Sequence, residues 1–363
     1  MNFIPLTFYS LSFFMIVAYA FIVIRAISGL KKLKFEDTIE PVDIAIDVII
    51  PFHNEIENLP HIVKSLQDQT HHNYRIIWVN DHSTDNSLQY LQNNSDKLES
   101  IFLNSPKKGK KAAISYGIQF SDAKFIVFTD ADVIHHPKWI ESYANAFHKK
   151  GEGLFFGPVI YRTNSFIENI FRLDFLSLMG TGMGLAGSGN PIYMNGANYG
   201  ISKKLVQNYY EKTANNYASG DDVFLLHHIK KVVGTESIYA LNSEEILVET
   251  PAPKTLCKFI KQRIRWGGKT TGYKDLPAIA LAIIVFGISF LQIASLFLLS
   301  FSIGVLSIWI AKIFIDLIAI INYSKFWEQS KLTLSFTIMT SLYPFYIVST
   351  AIIGLFSNKS KWS

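Results

Sequence analysis

The sequence predicts an α/β domain with a mostly parallel sheet, joined to about four transmembrane α-helices. Between residues 44 and 129, short apolar β-rich runs alternate with helical stretches, which is typical of βαβ units. Both ends of the 363-residue chain are apolar and nearly free of charge, which is typical of membrane spans. The single cysteine, Cys257, excludes an intrachain disulfide and a cysteine-rich metal site.

The first apolar run, residues 4–24, has the length of about twenty residues that a membrane-spanning helix needs. Residues 18–20 resemble the cleavage site of a signal peptide, which is the competing interpretation. However, the charged segment that opens a signal peptide is missing, and apolar residues continue past the site. We therefore interpret residues 1–30 as a retained anchor. Basic residues follow it: Arg25, Lys31 and Lys32. The positive-inside rule places the next segment in the cytoplasm.

The C-terminal segment, residues 275–357, is too long and apolar to be one helix. We predict three spans, near 276–299, 303–322 and 333–355. With the anchor they make a multi-pass protein of the cell membrane, with both termini outside and a cytoplasmic catalytic domain over residues 40–252. Lys312 and Asp316 lie four residues apart and share a helix face. A mutually neutralised pair and a role in transport are both open for them.

The central domain starts with four predicted strands, at 44–52, 74–80, 99–103 and 124–129. Helices are predicted between them, at 56–68, from 86 onward and at 112–120. In a parallel sheet, ligands bind at the carboxyl ends of the strands, near the point where the strand order reverses. Polar residues follow three of these strands, so we expect the site there.

Asp130 and Asp132 directly follow the apolar strand 124–129. Two carboxylates at a strand end suit Mg²⁺ or Mn²⁺, which prefer oxygen ligands and usually add substrate phosphates to one or two carboxylates. Asp81 ends the second strand in the same way, although an Asx turn explains its surroundings equally well. The basic loop 107–111, which contains Lys110, could approach phosphate or be a solvated loop.

Two further features remain ambiguous at this level. Seven glycines fall within residues 180–200, which indicates either a mobile substrate loop, with Asn195 and Asn198 bonding to sugar hydroxyls, or a close-packed turn region. The histidines show no zinc-site spacing, so we interpret them as surface or helix residues: His61, His71, His72, His135, His136, His227 and His228.

Seven motifs in order carry a family resemblance over about residues 44–270. They are Pro51-Phe52-His53-Asn54-Glu55, Asn80-Asp81-His82-Ser83-Thr84-Asp85, Gly109-Lys110, Asp130-Ala131-Asp132, Asn195-Gly196-Ala197-Asn198, Gly220-Asp221-Asp222 and Gln262-Arg263-Ile264-Arg265-Trp266. The set resembles the family 2 glycosyltransferases with a GT-A fold, and its last motif, Gln-x-x-Arg-Trp, is similar to that of membrane polysaccharide synthases. Asn80, His82 and Asp221 depart from the residues common in the family.

The resemblance implies the following roles. On the donor side, Pro51, His53, Glu55, Asp81 and Lys110 would bind a nucleotide-sugar, a UDP-sugar, together with Asp130 and Asp132. These last two would hold Mg²⁺ or Mn²⁺ on the diphosphate, with Asp132 the more direct ligand. Asp222 would be the general base of an inverting transfer. The residues that would contact the acceptor and the diphosphate are Asn198, Asp221, Gln262, Arg265 and Trp266. The last three lie in an amphipathic segment, residues 253–274, that is predicted to lie at the membrane interface.

The chemistry fits these roles but leaves alternatives. Attack by a hydroxyl on the anomeric carbon needs a base, yet an acidic residue at position 222 also suits the first turn of a helix. Trp266 could stack on a sugar ring or anchor a helix at the bilayer surface. Three functions compete: a polysaccharide synthase of the cell envelope, with an accessory export subunit as a candidate partner; a transferase that adds one sugar to a lipid or lipid-linked acceptor; and a non-catalytic nucleotide-sugar sensor or scaffold. No feature indicates a nucleic-acid partner.

Overall fold

The computed structural model describes residues 3–33, 42–212, 221–300, 302–328 and 333–356. These residues form two compact units. The helical unit contains residues 3–32, 163–192 and 252–356, and the α/β unit contains residues 33–162 and 193–251.

All the strands of the described residues belong to the α/β unit. They are β1 (Ile46–Phe52), β2 (Tyr74–Asn80), β3 (Ser100–Asn104), β4 (Phe125–Phe128), β5 (Ile134–His135), β6 (Leu154–Phe156), β7 (Val159–Arg162), β8 (Tyr199–Ser202), β9 (Ile238–Ala240) and β10 (Val248–Pro251). The helices, over both units, are α1 (Phe3–Lys32), α2 (Leu59–Gln67), α3 (Ser87–Asn94), α4 (Lys110–Gln119), α5 (Trp139–Lys150), α6 (Phe166–Gly187), α7 (Lys203–Lys212), α8 (Asp221–Val233), α9 (Leu256–Gly267), α10 (Leu276–Phe297), α11 (Ser307–Phe326) and α12 (Thr333–Phe356).

The main sheet has the strand order β3-β2-β1-β4-β8-β6-β9 and is mostly parallel. β1 lies between β2 and β4 and is parallel to both, whereas β8 is antiparallel to β4 and β6. The chain order therefore reverses around β1, which makes the carboxyl ends of β1 and β4 the expected ligand position. A small second sheet, β5-β10-β7, adds β10 beside the turn that follows β4.

The predicted α/β architecture is confirmed. The apolar runs become β1 to β4 because both faces of a parallel sheet are covered, and β1 and β4 are buried along their whole length. The predicted strand 74–80 coincides with β2, and the three predicted helices correspond to α2, α3 and α4. Each of these helices buries one apolar stripe, as Leu59, Ile62 and Leu66 do on α2.

The helical unit contains four helices long and apolar enough to cross a membrane: Leu6–Lys32, Leu276–Phe297, Ile303–Phe326 and Ser335–Phe356. This confirms the number of spans expected from the sequence. Their exposed surfaces carry large apolar side chains, such as Phe13 and Phe356, as lipid-facing helices do. The orientation of the spans stays a prediction.

The segment 180–200 is not the single loop or turn region expected from its glycines. Its first half is the C-terminal part of α6, a 22-residue helix of the helical unit, so the α/β unit is not the continuous segment 40–252. The glycines let α6 cross α1 closely, because a Cβ on Gly184 would lie 2.2 Å from the Ala26 carbonyl oxygen. A Cβ on Gly29 of α1 would meet the Gly184 carbonyl oxygen at 1.8 Å. Glycine is therefore required by packing at this crossing.

Lys312 and Asp316 form the neutralised pair that their spacing allowed. The Lys312 ammonium lies 2.5 Å from Asp316 Oδ2, and the Tyr19 hydroxyl of α1 donates to Asp316 Oδ1 at 2.7 Å. Lys312 is 3% exposed and lies over the rings of Tyr19 and Tyr343. The pair therefore joins α1, α11 and α12, and its polar atoms are engaged within the helical unit.

Candidate active site

The carboxyl ends of β1 and β2 are tied together by side chains of the segments that follow them. Asn54 has a φ of +56°, and its side-chain oxygen accepts the backbone N–H of Thr84 at 2.7 Å and of Asp85 at 3.3 Å. His53 Nδ1 lies 2.7 Å from the Asp81 carbonyl oxygen. Pro51 is buried within β1 and fixes the backbone just before this turn. The predicted nucleotide pocket is thus a rigid pair of turns.

Asp81 is the most deeply buried carboxylate of this region, at 2% exposure. Its backbone N–H donates to the Phe52 carbonyl oxygen at 2.8 Å, and its Oδ1 accepts the N–H of Gly109 at 2.8 Å. Gly109 precedes α4 with a φ of +114°, a conformation that L side chains rarely adopt. Within the described part of the chain, Oδ2 of Asp81 has no hydrogen-bond partner. A buried carboxylate oxygen without a partner is costly, which marks it as a position for an N–H donor from a ligand.

Lys110, the first residue of α4, lies among three carboxylates. Its ammonium forms an ion pair with Asp130 Oδ1. Burial by itself would lower the pKa of Lys110. Attraction to Asp130, Asp222 and Asp132 outweighs burial and raises the pKa above its ordinary value. The structure therefore brings together predicted residues from β4, α4 and α8.

Asp132 is partly buried beside other carboxylates. Burial, followed by the nearby Asp130 and Glu55, raises the pKa of its carboxyl to about 7. The Thr250 hydroxyl of β10 donates to its Oδ2 at 3.3 Å. The pKa of Glu55 is also raised, first by burial and then by Asp130 and Asp85. An acidic cluster with this electrostatic balance favours a bound cation.

The donor set at this cluster suits a divalent cation that also takes ligands from substrate. Among the described residues, no group of three or more His, Cys, Asp or Glu side chains is arranged to hold a metal by itself. Mg²⁺ and Mn²⁺ commonly use only one or two carboxylates, with phosphate and water completing the shell. Asp130 already contacts Lys110, so Asp132 is the carboxylate better placed to hold the ion directly.

Asp222 lies in the first turn of α8, and both of its oxygens are fixed. Oδ2 accepts the N–H of Gly196 at 2.9 Å, and Oδ1 accepts the N–H of Val223 at 2.9 Å. A Cβ on Gly196 would lie 3.3 Å from Oδ2, so this close approach needs a small residue. Asp221 is 8% exposed and lies 4.0 Å from the Lys111 ammonium. Gly220, which opens this motif, falls outside the described residues.

Asn198 does not face a ligand, which corrects its predicted contact with substrate. It is fully buried. Its oxygen accepts from Trp139 Nε1 at 2.9 Å and from the Tyr143 hydroxyl at 2.8 Å. Its amide nitrogen donates to the carbonyl oxygens of Pro158 at 2.9 Å and Ile246 at 2.8 Å. These four bonds match the full capacity of an amide side chain, so Asn198 stabilises the core beneath the site.

His135 is likewise a buried residue, not the surface or helix residue expected. Its Nε2 lies 2.9 Å from the Thr129 hydroxyl and its Nδ1 3.1 Å from the Ser65 hydroxyl. The Thr129 hydroxyl also donates to the Ala197 carbonyl oxygen at 3.0 Å, and the Ser65 hydroxyl donates to the Ile62 carbonyl oxygen at 2.9 Å. Burial lowers the pKa of His135 to about 3. This neutral ring supports the turn that carries Asp130 and Asp132.

Gln262, Arg265 and Trp266 lie on α9 of the helical unit. Arg263, between them in the motif, is buried and bonds to Asp174 of α6 at 2.6 Å. The acceptor and diphosphate roles of Gln262, Arg265 and Trp266 stay predictions, as does the interfacial position of segment 253–274. Sequence reasoning missed Thr250, Thr129 and Arg263. Only Arg263 had a signal in the sequence, because it is a basic residue on an otherwise apolar helix face.

Sequence comparison finds similarity to glycosyltransferases. Residues 47–209 match the family model described as glycosyl transferase family 2. An uncharacterized glycosyltransferase, YkcC, from Bacillus subtilis is 31% identical over 125 residues, which are 30% of this chain and 39% of that protein. Glycosyltransferase AglE from Haloferax volcanii is 29% identical over 119 residues, 31% of this chain and 39% of that protein. The chain thus spans about two fifths of the length of these curated relatives.

One solved structure shows the fold. The mannosyltransferase PcManGT from Pyrobaculum calidifontis, solved with GDP-Man and Mn²⁺, superposes with a TM-score of 0.65. The match covers 96% of this chain and 97% of that one at 14% identity. Residues 47–209 are therefore similar to glycosyl transferase family 2, and the chain has the GT-A fold of this mannosyltransferase.

Proposed function

We propose that the chain is a membrane glycosyltransferase that moves a sugar from a nucleotide-sugar, a UDP-sugar, to a polysaccharide or lipid acceptor. The observation that carries this proposal is the convergence of Asp130, Asp132 and Asp222 on the Lys110 ammonium, beside the unpartnered oxygen of Asp81. The α/β unit supplies a base-binding carboxylate, a cation site and a second carboxylate in one place. A transfer from a nucleoside diphosphate donor needs these three parts.

Asp81 supports recognition of the base. Its Oδ1 is held by Gly109, so the free Oδ2 is fixed in position before any ligand arrives. A buried carboxylate oxygen accepts an N–H, and uracil offers one at its ring nitrogen. Guanine also presents ring and exocyclic N–H donors, and the structurally similar PcManGT was solved with GDP-Man. The donor test must therefore include both nucleotides.

The transfer step assigns one role to each charged group. The acceptor hydroxyl oxygen bonds to the anomeric carbon, its proton passes to Asp222, and the electron pair of the breaking C–O bond goes to the diphosphate. Displacement on the face opposite the leaving group inverts the anomeric configuration. Lys110 stabilises the negative charge that develops on the diphosphate. A divalent cation held by Asp132 supplies further positive charge there when bound.

The four apolar helices support placement in a membrane. The basic residues Arg25, Lys31 and Lys32 favour a cytoplasmic α/β unit. Both acceptor classes remain consistent with the site. The Gln-x-x-Arg-Trp motif favours a growing polysaccharide. Four membrane-spanning helices are few for a channel that could export a polymer. Their number therefore favours a single lipid or lipid-linked acceptor, or a polymer that is exported through a separate subunit. A non-catalytic sensor is the least supported function, because Asp222 is held in place beside the cation site.

The decisive experiment supplies the purified full chain, in lipid nanodiscs with Mn²⁺, with a panel of labelled UDP-sugars and GDP-mannose. Nucleoside diphosphate release and product size are measured. A polymer ladder indicates a synthase, and one mobile lipid species indicates a single-addition transferase. Donor binding without release from any donor would contradict the enzyme and support the sensor.

A matched pair of variants tests the assignment of the base. Asp222→Asn keeps the shape of the side chain but removes its ability to accept a proton, so transfer is expected to fall by about 10²-fold or more with donor binding retained. Asp96→Asn makes the same chemical change at an exposed carboxylate of the α/β unit and is expected to behave as wild type. Unchanged turnover in Asp222→Asn would remove Asp222 as the base.

A further inference from the structure

Helix α9 carries the Gln-x-x-Arg-Trp motif and packs against α6 along one face. Thr255 begins the helix, its hydroxyl accepting the Lys258 N–H at 3.3 Å. Phe259, Arg263 and Trp266 follow at spacings of four and three residues, so they share one side of α9. Gln262 stands next to Arg263 at the edge of the same side.

Aromatic pairs join this side of α9 to α6. The ring of Phe259 stacks on Phe171 with centroids 4.2 Å apart and planes within 8°. Trp266 lies 6.2 Å from Phe175, one helical turn further along α6. The two contacts define the distance between the helices, but stacked apolar rings restrain sliding and rotation only weakly.

Arg263 lies between these two aromatic pairs and is 5% exposed. Its Nε donates to Asp174 Oδ2 of α6 at 2.6 Å. The guanidinium carbon is 4.6 Å from the centroid of Phe259 and 4.3 Å from that of Trp266. Its Nη1 donates to Gln262 Oε1 at 2.8 Å. One side chain therefore contacts two of the three residues that define the motif.

The need to pack α9 against α6 does not by itself explain why a buried Arg263–Asp174 ion pair lies between them. Burying an arginine and an aspartate has a large desolvation cost, and well-packed apolar residues of similar volume hold helices together as well or better. The guanidinium fixes the orientation of its neighbours, because its planar fork makes hydrogen bonds at set angles and its flat face orients an aromatic ring. The neighbours so oriented are Gln262 and Trp266.

We propose that Arg263, held by Asp174, is a positioning residue that sets the side-chain orientations of Gln262 and Trp266 for the acceptor side of the reaction. The inference rests on the proposed function, since it assigns Arg263 a task in that same transfer. We expect that lysine cannot replace it, because the three rotatable donors of an ammonium do not form a planar fork with fixed angles, and an ammonium has no flat face to stack on a ring.

The test uses three variants of the full chain in nanodiscs. Arg263→Lys keeps the charge, and the double variant Arg263→Met with Asp174→Leu replaces the buried pair by apolar groups. Lys261→Met is the control, since it removes a charge from an exposed position of the same helix. Transfer is measured with farnesyl phosphate as the lipid probe and chitotetraose as the glycan probe. Donor hydrolysis without either probe and the thermal midpoint are measured in parallel.

We expect the first two variants to raise the acceptor KM by about tenfold or more, because a displacement of about 1 Å at a reacting group has effects of that size. The donor KM and the rate of donor hydrolysis should remain within about twofold, and the double variant should unfold near the wild-type temperature. Lys261→Met should match wild type throughout. A double variant with a wild-type acceptor KM would overturn the proposal.

A second readout does not depend on transfer. The fluorescence of Trp266, taken as the difference between each protein and the same protein with Trp266→Phe, should shift in wavelength or intensity in Arg263→Lys. An unchanged Trp266 signal would refute the positioning role whether or not the chain transfers sugar. If the signal shifts while wild type transfers sugar from no donor, the positioning of Trp266 stands and the proposed function fails.

Discussion

Substitution of Asn198 tests whether this residue contacts substrate or stabilises the core beneath the site. Replacing it by alanine removes the partners of four buried polar groups: Trp139 Nε1, the Tyr143 hydroxyl, and the carbonyl oxygens of Pro158 and Ile246. Each buried group left without a partner costs about 1–3 kcal/mol. Water entering the vacated space can satisfy some of them. We therefore expect a loss of about 3–5 kcal/mol.

That loss is large against a typical folding free energy of about 5–15 kcal/mol. For a unit of this size, 1 kcal/mol lowers the thermal midpoint by about 2–4 °C, so Asn198→Ala should unfold at least about 6–12 °C below wild type. Asn198→Asp keeps both acceptor contacts but places a carboxylate oxygen against two carbonyl oxygens. It is therefore expected to be at least as destabilising. The assay is thermal unfolding of the full chain, followed by circular dichroism.

Asn195 provides the matched control. It lies in the same loop, is only partly buried, and its side-chain oxygen accepts one local bond, from the Ala197 N–H at 3.0 Å. Asn195→Ala should cost about 1 kcal/mol or less. If Asn198→Ala instead unfolded within about 2 °C of wild type and raised the acceptor KM, the core role would be refuted and a sugar contact restored.

Two further predictions concern the cation site and the buried histidine. Asp132→Asn should weaken donor binding in the presence of Mn²⁺ by about tenfold or more, measured by titration calorimetry. The control Asp96→Asn should bind the donor as wild type does. If Asp132→Asn bound the donor with wild-type affinity, Asp132 would be excluded as a metal ligand. Because burial lowers the pKa of His135 to about 3, the folded protein keeps it neutral while the unfolded chain gains a proton below its ordinary value of 6.5. Stability is therefore lost as pH falls from about 6.5 towards 3, by about 2 kcal/mol between pH 7 and 5. His135→Gln should flatten that dependence in unfolding measured at both pH values, and an unchanged slope would contradict it.

The parallel half of the sheet was predictable because its signals are local. Strands buried on both faces are continuous apolar runs, and the polar residues that follow them mark the edge where ligands bind. β2 follows its predicted bounds for this reason, and Asp81, Asp130 and Asp132 were found by their place after a strand. The four membrane-spanning candidates were predictable from length and hydropathy alone.

The roles of buried polar side chains were not predictable, because their partners are distant in sequence. Asn198 bonds to residues 40 to 59 positions away, and Arg263 pairs with a residue 89 positions away. No local pattern distinguishes such an asparagine from one that binds sugar.

Helix α6 was also not predicted, because its C-terminal part is rich in glycine. At its start, the Ser165 hydroxyl accepts the Glu168 N–H at 3.3 Å, and the Glu168 carboxylate accepts the Asn164 N–H at 2.6 Å.

The way each acidic side chain is anchored explains how the site can be ordered before substrate binds. Gly109 holds Asp81, Gly196 holds Asp222, and Thr250 holds Asp132, each through a neutral N–H or O–H donor. Neutral donors fix a carboxylate without cancelling its charge, whereas a ring of arginines would orient the same groups and compete with the cation. Burial, followed by the nearby Asp130 and Glu55, raises the pKa of Asp132 despite these contacts. Because the anchors come from three separate segments, we expect the cation and the donor of the proposed reaction to meet a preformed arrangement.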